Sequence, residues 1–319
     1  MKATLALAAV ATLATLGAAH AQSGERLAVF TKNQTNPYFQ AVRLGAESAA
    51  KQMNARLTHY VPTKPDSIPE QMSQIEDVIV KKPDAIVFIP VDYKAMAPGV
   101  QKINAAKIPV VNVTDRSETG DFVAFVGASD FNLGLETARA LFKAMGGKGT
   151  VVVLEGVKGS LTNTDRLRGV AEAHKAYPGI KIATSQPANY QRLQALQVME
   201  NVMQSTPQID GVFAANDAMA AGAIEALEGA NRKALVVGIN GTKEAVDAIA
   251  AGKMLATGDY NGFLQGCIGT MTAIRQLRKL PVPKEVVFPA SVIDKSNFNL
   301  AATPVEARAC PKWEDVIKG

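Results

Sequence analysis

Histidine is scarce in this chain, and its scarcity limits the chemistry that we expect. Only three histidines occur in 319 residues, and the two beyond residue 21, His59 and His174, lie in unrelated settings. A histidine-based catalytic triad or zinc site therefore has no support. Asp92, Asp115 and Asp130 belong to separate loops and lack the spacing of metal ligands. We expect no metal site.

Glycine-rich motifs that bind phosphate are also missing. The segment 156–160 (GVKGS) has a lysine between glycines after an apolar stretch, but it lacks the G-x-x-x-x-G-K-[ST] spacing of a phosphate loop. No G-x-G-x-x-G follows the first apolar stretch, residues 27–31, so a dinucleotide site has no support either. These absences predict a protein that is not an enzyme and that uses no cofactor.

Basic residues are not gathered into one stripe. Lysine and arginine total 34 against 29 aspartates and glutamates, and the two signs are mixed along the chain. A protein that reads nucleic acid needs a basic face and a docking motif. Since we find neither, we expect no nucleic-acid partner.

A long apolar run occurs at the N-terminus and nowhere else. Lys2 precedes the uncharged run 3–19, and Ala19-His20-Ala21 has the small-x-small pattern of a cleavage site. This pattern predicts a signal peptide cleaved after Ala21 and a periplasmic protein. A buried helix is the alternative, but it would not end in a cleavage motif. Cleavage leaves 319 − 21 = 298 residues, enough for two lobes, and losing Lys2 lowers the formal net charge from +5 to +4.

Apolar stretches of strand length alternate with helical patterns along the chain. The stretches 27–31, 85–89 and 110–113 are separated by patterns such as 37–54 and 67–80. This alternation predicts parallel sheets with right-handed crossovers. Continuous apolar strands indicate sheets that are covered on both faces. The expected fold class is therefore α/β.

Polar residues follow two of these strands where they end. Asp115 and Arg116 come after the apolar run 108–113, and Asn216 comes after 211–214. Open α/β sheets bind ligands outside the carboxyl ends of their strands. Carboxylate, guanidinium and amide groups together can accept from and donate to hydroxyl groups. The sequence therefore predicts a binder of a hydroxyl-rich molecule.

Six motifs in the same order and near the same spacing resemble the ribose-type periplasmic sugar-binding proteins, whose fold is the type I periplasmic binding protein fold. The motifs are TNPYF at 35–39, VTDR at 113–116, DRLRG at 165–169, QPANY at 186–190, FAAND at 213–217 and VGINGT at 237–242. The resemblance covers the chain to about residue 280. It implies two Rossmann-like lobes with parallel sheets joined by a three-strand hinge, closing around a sugar.

The resemblance also implies the ligand-binding residues. These are Asn36, Tyr38, Phe39, Asp115, Arg116, Arg166, Tyr190, Asn216, Asn240 and Tyr260. Asn240 stands where ribose binders have an aspartate, and Tyr260 stands where they have a glutamine. The exchange of a carboxylate for an amide, and of an amide for a phenol, leaves the identity of the sugar open.

Each of these residues also has a structural interpretation. Asn36 and Asn216 are good N-caps for the helices that follow them. Tyr38 and Phe39, at the start of a helix, could belong to the core. Arg166 could face water in the first turn of a helix. The shared location at strand ends favours the binding site, because unrelated surface residues would not all choose that edge.

The expected function is the periplasmic substrate-binding component of an ABC importer for a monosaccharide or polyol. The implied partners are the membrane permease of that importer and, as an option, a chemoreceptor or sensor kinase; the protein is expected to be a monomer. A regulator of the lac-repressor type resembles the same fold, but about 50–60 residues of DNA-binding domain would precede its first strand. Here that strand begins near Arg26.

The predicted domain organisation has a signal peptide and two discontinuous lobes. The first lobe comprises residues 22–128 and 261–290; the second comprises 129–260 and 291–319, including the tail. We expect the hinge crossings near Ala128-Ser129, near Tyr260-Asn261 and in the segment 289–292.

Two cysteines in an exported chain can form one bridge. Cys267 lies in a helical pattern, and Cys310 lies in a tail beyond the ribose-type resemblance. Free cysteine as a small buried hydrophobe is the alternative. A tail that contains Pro304, Pro311 and Trp313 has little regular structure to hold it, so we predict a Cys267–Cys310 disulfide.

Overall fold

The computed structural model describes residues 24–318, which form twelve strands and ten α-helices. The strands are β1 (Arg26–Phe30), β2 (Arg56–Tyr60), β3 (Ala85–Phe88), β4 (Val110–Val113), β5 (Ala124–Ala128), β6 (Lys148–Glu155), β7 (Gly179–Pro187), β8 (Gly211–Ala214), β9 (Leu235–Ile239), β10 (Ala256–Asp259), β11 (Glu285–Phe288) and β12 (Ser291–Asp294). The helices are α1 (Pro37–Gln52), α2 (Ile68–Lys81), α3 (Ala97–Ala105), α4 (Asp130–Ala144), α5 (Leu161–Lys175), α6 (Arg192–Ser205), α7 (Asp217–Gly229), α8 (Lys243–Ala250), α9 (Gly262–Leu277) and α10 (Trp313–Val316). The predicted signal peptide and its cleavage site lie outside the described residues.

The strands form two six-stranded sheets. The first has the order β11-β5-β4-β3-β1-β2 and is parallel throughout. The second has the order β12-β10-β9-β8-β6-β7 and is parallel except at β12, which runs antiparallel to β10. The predicted α/β class with two Rossmann-like lobes is confirmed. The antiparallel edge was not predicted; β12 enters the second sheet directly from β11 of the first sheet and runs opposite to β10, its only neighbour among the described strands.

Buried strands and capped helices explain why the sequence forms these elements. All residues of β3, β4 and β8 are buried; β3 and β8 are apolar throughout, and β4 is apolar except for Asn112. Helix α5 begins at Leu161, earlier than its apolar pattern indicates. The Ser160 side chain caps it by accepting a hydrogen bond from the Asn163 backbone N–H. In the described part of the chain, no helix is both long enough and apolar enough to cross a membrane.

The chain crosses from one sheet to the other at three places, which surround the cavity between the two sheets. β5 ends at Ala128 in the first sheet, and α4 then packs on the second sheet. β10 ends at Asp259 in the second sheet, and α9 then packs on the first. β11 continues into β12 across residues 289–290. These places coincide with the hinge crossings that the sequence predicts.

The tail crosses between the lobes once more. Residues 291–319 are grouped with the second lobe from the sequence, but the end of this segment lies on the first lobe. The 3₁₀ turn Phe298–Leu300 contacts α8, which packs on the second sheet, whereas the 3₁₀ turn Val305–Ala307 contacts α1 of the first lobe. Cys310 then forms a disulfide with Cys267 in α9, with Cα atoms 5.6 Å apart. The predicted disulfide is confirmed, and it holds the end of the chain on the first lobe.

A close approach of α4 and α5 positions one of the predicted site residues. A Cβ on Gly134 in α4 would lie 2.2 Å from the carbonyl oxygen of Arg166 in α5. On the other helix, a Cβ on Gly169 would lie 2.3 Å from the carbonyl oxygen of Phe131. Only glycine allows the two backbones to be this near, and the contact sets the height of Arg166 beside the start of α4.

Candidate ligand-binding site

A cavity of about 190 Å³ lies where the carboxyl ends of the two sheets face each other. Nine of the ten predicted site residues line it: Asn36, Tyr38, Phe39, Asp115, Arg166, Tyr190, Asn216, Asn240 and Tyr260. They come from widely separated stretches of the chain, so their convergence depends on the two-sheet topology. The site residues remain a proposal, but the structure brings these nine together.

Arg116 is the one predicted site residue that lies outside the cavity. Its guanidinium forms an ion pair with Glu285 and lies 3.8 Å from the centre of the Phe125 ring. About half of its side chain is exposed, at 48%. The backbone turns sharply at Thr114, whose φ is 64°, and the two side chains that follow this turn lie on different sides of the chain. Asp115 enters the cavity, and Arg116 leaves it.

Lys32 takes the place beside Asp115 that Arg116 was expected to fill. Its Nζ lies 2.9 Å from Asp115 Oδ2, and both side chains are largely buried. Burial opposes the charge on this lysine, but Asp115 and Asp66 outweigh it and raise the pKa of the ammonium group above its ordinary value. Lys32 follows β1, so the strand-end rule applied to Asp115 would also have found it.

A buried ion pair supports the second lobe's side of the cavity. Arg166, 2% exposed, donates from Nε to Asp130 Oδ1 at 2.9 Å and from Nη1 to the Ala215 carbonyl oxygen at 2.6 Å. Burial raises the pKa of Asp130 to about 6, and Arg166 limits that rise. At neutral pH the carboxylate is therefore ionised and paired. Sequence reasoning missed Asp130 as this partner because the two residues are 36 positions apart.

Three aromatic rings form a wall between the lobes. Tyr38 stacks on Tyr260 with ring centres 5.2 Å apart, and it meets Phe39 edge-on at 5.2 Å. The Tyr260 hydroxyl lies 3.1 Å from Asp130 Oδ2 and 3.2 Å from the Thr114 carbonyl oxygen. Since the single hydroxyl proton goes to one of these acceptors, Tyr260 offers its ring, rather than a donated hydrogen bond, to the cavity.

The amide residues serve the backbone and the cavity together. Asn36 Oδ1 accepts from the Tyr38 backbone N–H at 3.0 Å, and Asn216 Oδ1 accepts from that of Met219 at 2.9 Å. Both are therefore helix caps, as the structural interpretation held, and both also line the cavity. Each keeps two N–H donors on Nδ2 that the cap does not use, although Asn216 gives one of them to the Tyr190 carbonyl oxygen at 3.2 Å.

Two buried polar atoms at the cavity have no hydrogen-bond partner among residues 24–318. They are the Tyr190 hydroxyl and Asn240 Oδ1. A buried polar group without a partner costs about 1–3 kcal/mol. Both residues line the cavity, so a ligand that reaches them would remove this cost.

The comparison with known families agrees with this architecture. A family model described as the periplasmic binding protein domain matches residues 27–280, which is most of the described chain. The chain belongs to the periplasmic binding protein family.

Relatives and solved structures of this family are similar over most of their length. The ribose import binding protein of Bacillus subtilis (strain 168) is 36% identical over 264 residues, covering 82% of this chain and 84% of that protein. The xylitol-binding protein of Mycolicibacterium smegmatis is 31% identical over 238 residues, covering 74% and 68%. A solute binding protein from Actinobacillus succinogenes 130z, solved with bound D-allose, has a TM-score of 0.83 and 36% identity, covering 86% of this chain and 99% of that one.

The two lobes of this periplasmic binding protein touch across the cavity. The Thr162 hydroxyl in α5 donates to Asp115 Oδ1, which follows β4 of the first sheet. Asp115 therefore contacts Lys32 in its own lobe and Thr162 in the other. The hydrogen bond between Asp115 and Thr162 therefore depends on how closely the two lobes approach each other.

Gly156 makes room for the Tyr190 ring in this periplasmic binding protein. A Cβ at Gly156 would lie 2.0 Å from Tyr190 Cζ. Tyr190 itself has a φ of 60°, in the left-handed region. The ring is therefore held between the end of β6 and the cavity, where its hydroxyl lacks a partner among the described residues.

Proposed function

We propose that this protein binds one neutral monosaccharide or polyol and delivers it to the permease of an ABC importer. The observation that supports this most strongly is the cavity itself, where paired charges, amides with N–H groups to spare and flat aromatic rings line a small volume. Hydroxyl groups both donate and accept, and the C–H faces of a sugar ring pack on aromatic rings.

The charges around the cavity favour a neutral ligand. Two cations, Lys32 and Arg166, line it together with three carboxylates, those of Asp66, Asp92 and Asp115. A fourth carboxylate, that of Asp130, is bound to Arg166 directly behind the wall, so the formal sum is 2 − 4 = −2. A sugar acid or sugar phosphate would meet an excess of negative charge in a place of low dielectric, where repulsion is strong.

The size of the cavity favours a single sugar unit. Its volume of about 190 Å³ lies below the roughly 300–1,000 Å³ of clefts that hold drug-sized ligands. The relatives named for ribose and xylitol, and the structure with D-allose, cover pentose, polyol and hexose. All three classes are therefore candidates. Asn240 and Tyr260, which depart from the ribose-type pattern, are the residues that we expect to select among them.

Ligand capture follows from contacts on both lobes. Asp115 and Lys32 belong to the first lobe, and Arg166, Asn216 and Asn240 belong to the second. A ligand that contacts both lobes shifts the population toward the closed form, because only that form makes all the contacts. The importer would then distinguish loaded from empty protein by the relative position of the lobes. This function requires export, which the predicted signal peptide supplies.

A thermal-shift screen tests the proposal. The mature protein is heated with D-ribose, D-allose, xylitol and myo-inositol, and with glucuronate and ribose 5-phosphate as anionic controls. A ligand at one hundred times its Kd adds about 2.7 kcal/mol to the free energy of unfolding, which gives a clear rise in Tm. We expect a rise with at least one neutral compound and none with the anionic ones. No shift with any carbohydrate or polyol contradicts the proposal.

A further inference from the structure

We infer that Lys32, rather than Arg116, is the first-lobe cation that contacts the ligand and selects among sugars; this inference rests on the proposed function. Lys32 lines the cavity, and its side chain is 16% exposed. The Arg116 guanidinium is already bound by Glu285 and the Phe125 ring. To reach the ligand, Arg116 would have to leave both contacts.

The ammonium group has donors to spare for a ligand. Lys32 Nζ carries three N–H donors, and Asp115 is the one carboxylate within 4.0 Å of it in the part of the chain that the structure describes. The other donors are available to ligand hydroxyls at the cavity. Asp115 is held by Lys32 and by Thr162 of the other lobe, so its remaining lone pairs have a fixed direction.

Lysine and arginine read hydroxyls differently. A guanidinium is a planar fork that suits two adjacent oxygens, whereas an ammonium is a compact point charge with donors in three directions. A first-lobe lysine therefore donates to hydroxyls in several directions and does not need two adjacent oxygens in one plane. The exchange of Lys32 for arginine should change the order of preference among sugars, not only the strength of binding.

Calorimetric titration of the mature protein with D-ribose, D-allose and xylitol tests this inference. Lys32→Met should weaken the tightest of the three at least tenfold, and Lys32→Arg should change their order. Arg116→Ala should change each Kd less than twofold. Lys102→Met, which removes a surface lysine paired with Glu76, is the matched control and should bind as the wild type does.

The outcomes separate the inference from the proposed function. Wild-type Kd values in Lys32→Met would overturn the role of Lys32 while leaving sugar binding intact. If Lys32→Met does not fold, an unchanged order in Lys32→Arg overturns the role equally. A tenfold loss in Arg116→Ala would restore Arg116 to the site. A wild-type protein that binds no carbohydrate overturns both the proposed function and this inference.

A second proposal is carried independently by the tail, residues 298–310. We propose that this segment is a tether that limits how far the two lobes open. It begins on α8 of the second lobe, ends on α1 and α9 of the first, and is closed there by the Cys267–Cys310 disulfide. It therefore adds a covalently anchored fourth link to the three hinge crossings.

The tether is short and internally braced. The Arg308 side chain donates from Nε to the Thr303 carbonyl oxygen at 2.9 Å and from Nη2 to the Ala301 carbonyl oxygen at 2.8 Å. These bonds fold the segment back on itself. Beyond the disulfide, Trp313 is buried against Arg275 of α9, whose guanidinium lies 4.5 Å from the centre of the indole. The first-lobe end is thus fixed by more than one contact.

Small-angle scattering of the sugar-free protein tests the tether. The Cys267→Ser/Cys310→Ser variant should have a larger radius of gyration than the wild type without ligand, and the same radius when saturated with the sugar that binds. An insertion of six Gly/Ser residues between Thr303 and Pro304, with the disulfide intact, should widen the free form equally. A radius unchanged in both variants overturns the tether, and the insertion decides the question if the double variant does not fold.

Discussion

At the scale of single residues, the site depends on buried charges whose partners are far away in sequence. The family resemblance located Asn36, and the strand-end rule located Asp115 and Asn216, because it needs only the strand ends. It paired Asp115 with its neighbour Arg116, whereas the structure pairs it with Lys32. Sequence adjacency is a poor guide to ion pairs, since neighbouring side chains can leave a turn in different directions. The partner of Arg166 was missed because Asp130 lies 36 positions away in the sequence.

Arg166→Met should lower both stability and affinity. The substitution leaves Asp130 buried without its cation, and breaking a buried pair costs about 3–5 kcal/mol. The double variant Arg166→Met/Asp130→Asn removes both charges and should recover most of that stability, but it should not recover ligand binding. Denaturant unfolding and calorimetry measure the two effects. Recovery of binding in the double variant would show that Arg166 acts only on the fold.

At the scale of elements, the helices and strands were predictable where an apolar pattern or a capping residue marks them. Helix α1 begins at Pro37, as its pattern predicts, and the Asn36 side chain caps it; the Thr242 side chain caps α8 in the same way. Strand β12 has no such pattern or capping residue to mark it. Its direction is set by its pairing with β10 and not by its own four residues. Helix α5 begins before its apolar pattern, because its first turn is mostly polar and the Ser160 cap sets its start.

The α4–α5 contact gives a prediction at this scale. Gly134→Ala places a methyl group 2.2 Å from the Arg166 carbonyl oxygen, so the helices must separate. Overpacking of this kind costs about 1–3 kcal/mol, and the shift of α5 should weaken ligand binding through Arg166. Gly229→Ala, at the end of α7 with nothing within 4 Å of its Cβ, is the matched control. Equal Tm values for the two variants would contradict the prediction.

At the scale of the whole molecule, the topology of two sheets followed from the alternation of elements and the resemblance to a known family. The path of the tail did not, because it lies beyond that resemblance and has little periodic pattern. Its attachment was predictable only from the pair of cysteines together with the predicted signal peptide.

The stability of the whole molecule should depend on pH through a buried carboxyl group in the second lobe. Asp217 accepts from the Thr257 hydroxyl at 2.6 Å and from the Thr242 backbone N–H at 2.8 Å. Burial nevertheless raises its pKa to about 6. The folded protein therefore takes up a proton as the pH falls through about 6, whereas the unfolded chain does so only near about pH 4. The stabilisation that the folded protein gains from this proton is complete below about pH 4 and is lost as the pH rises through about 6.

Comparison with Asp217→Asn isolates this group from all others. The free energy of unfolding is measured for the wild type and for the variant. The amount by which the wild-type value exceeds the variant value should be about 2 kcal/mol larger at about pH 4.5 than at about pH 7.5. Urea titrations at the two pH values measure it. If the wild type and the variant differ by the same free energy of unfolding at both pH values, Asp217 has an ordinary pKa in the folded state.

The discontinuous first lobe has a consequence for the order in which the molecule is assembled. Its edge strand β11 and its packing helix α9 come from residues 262–288, and its disulfide waits for Cys310. The second sheet draws β6 to β10 from the continuous stretch 148–259. As the chain emerges from the N-terminus, the second sheet still gains its edge strand β12 after β11, but the first lobe, which starts first, is closed last by the disulfide. Residues 24–128 must stay without their final partners until nearly the whole chain has emerged.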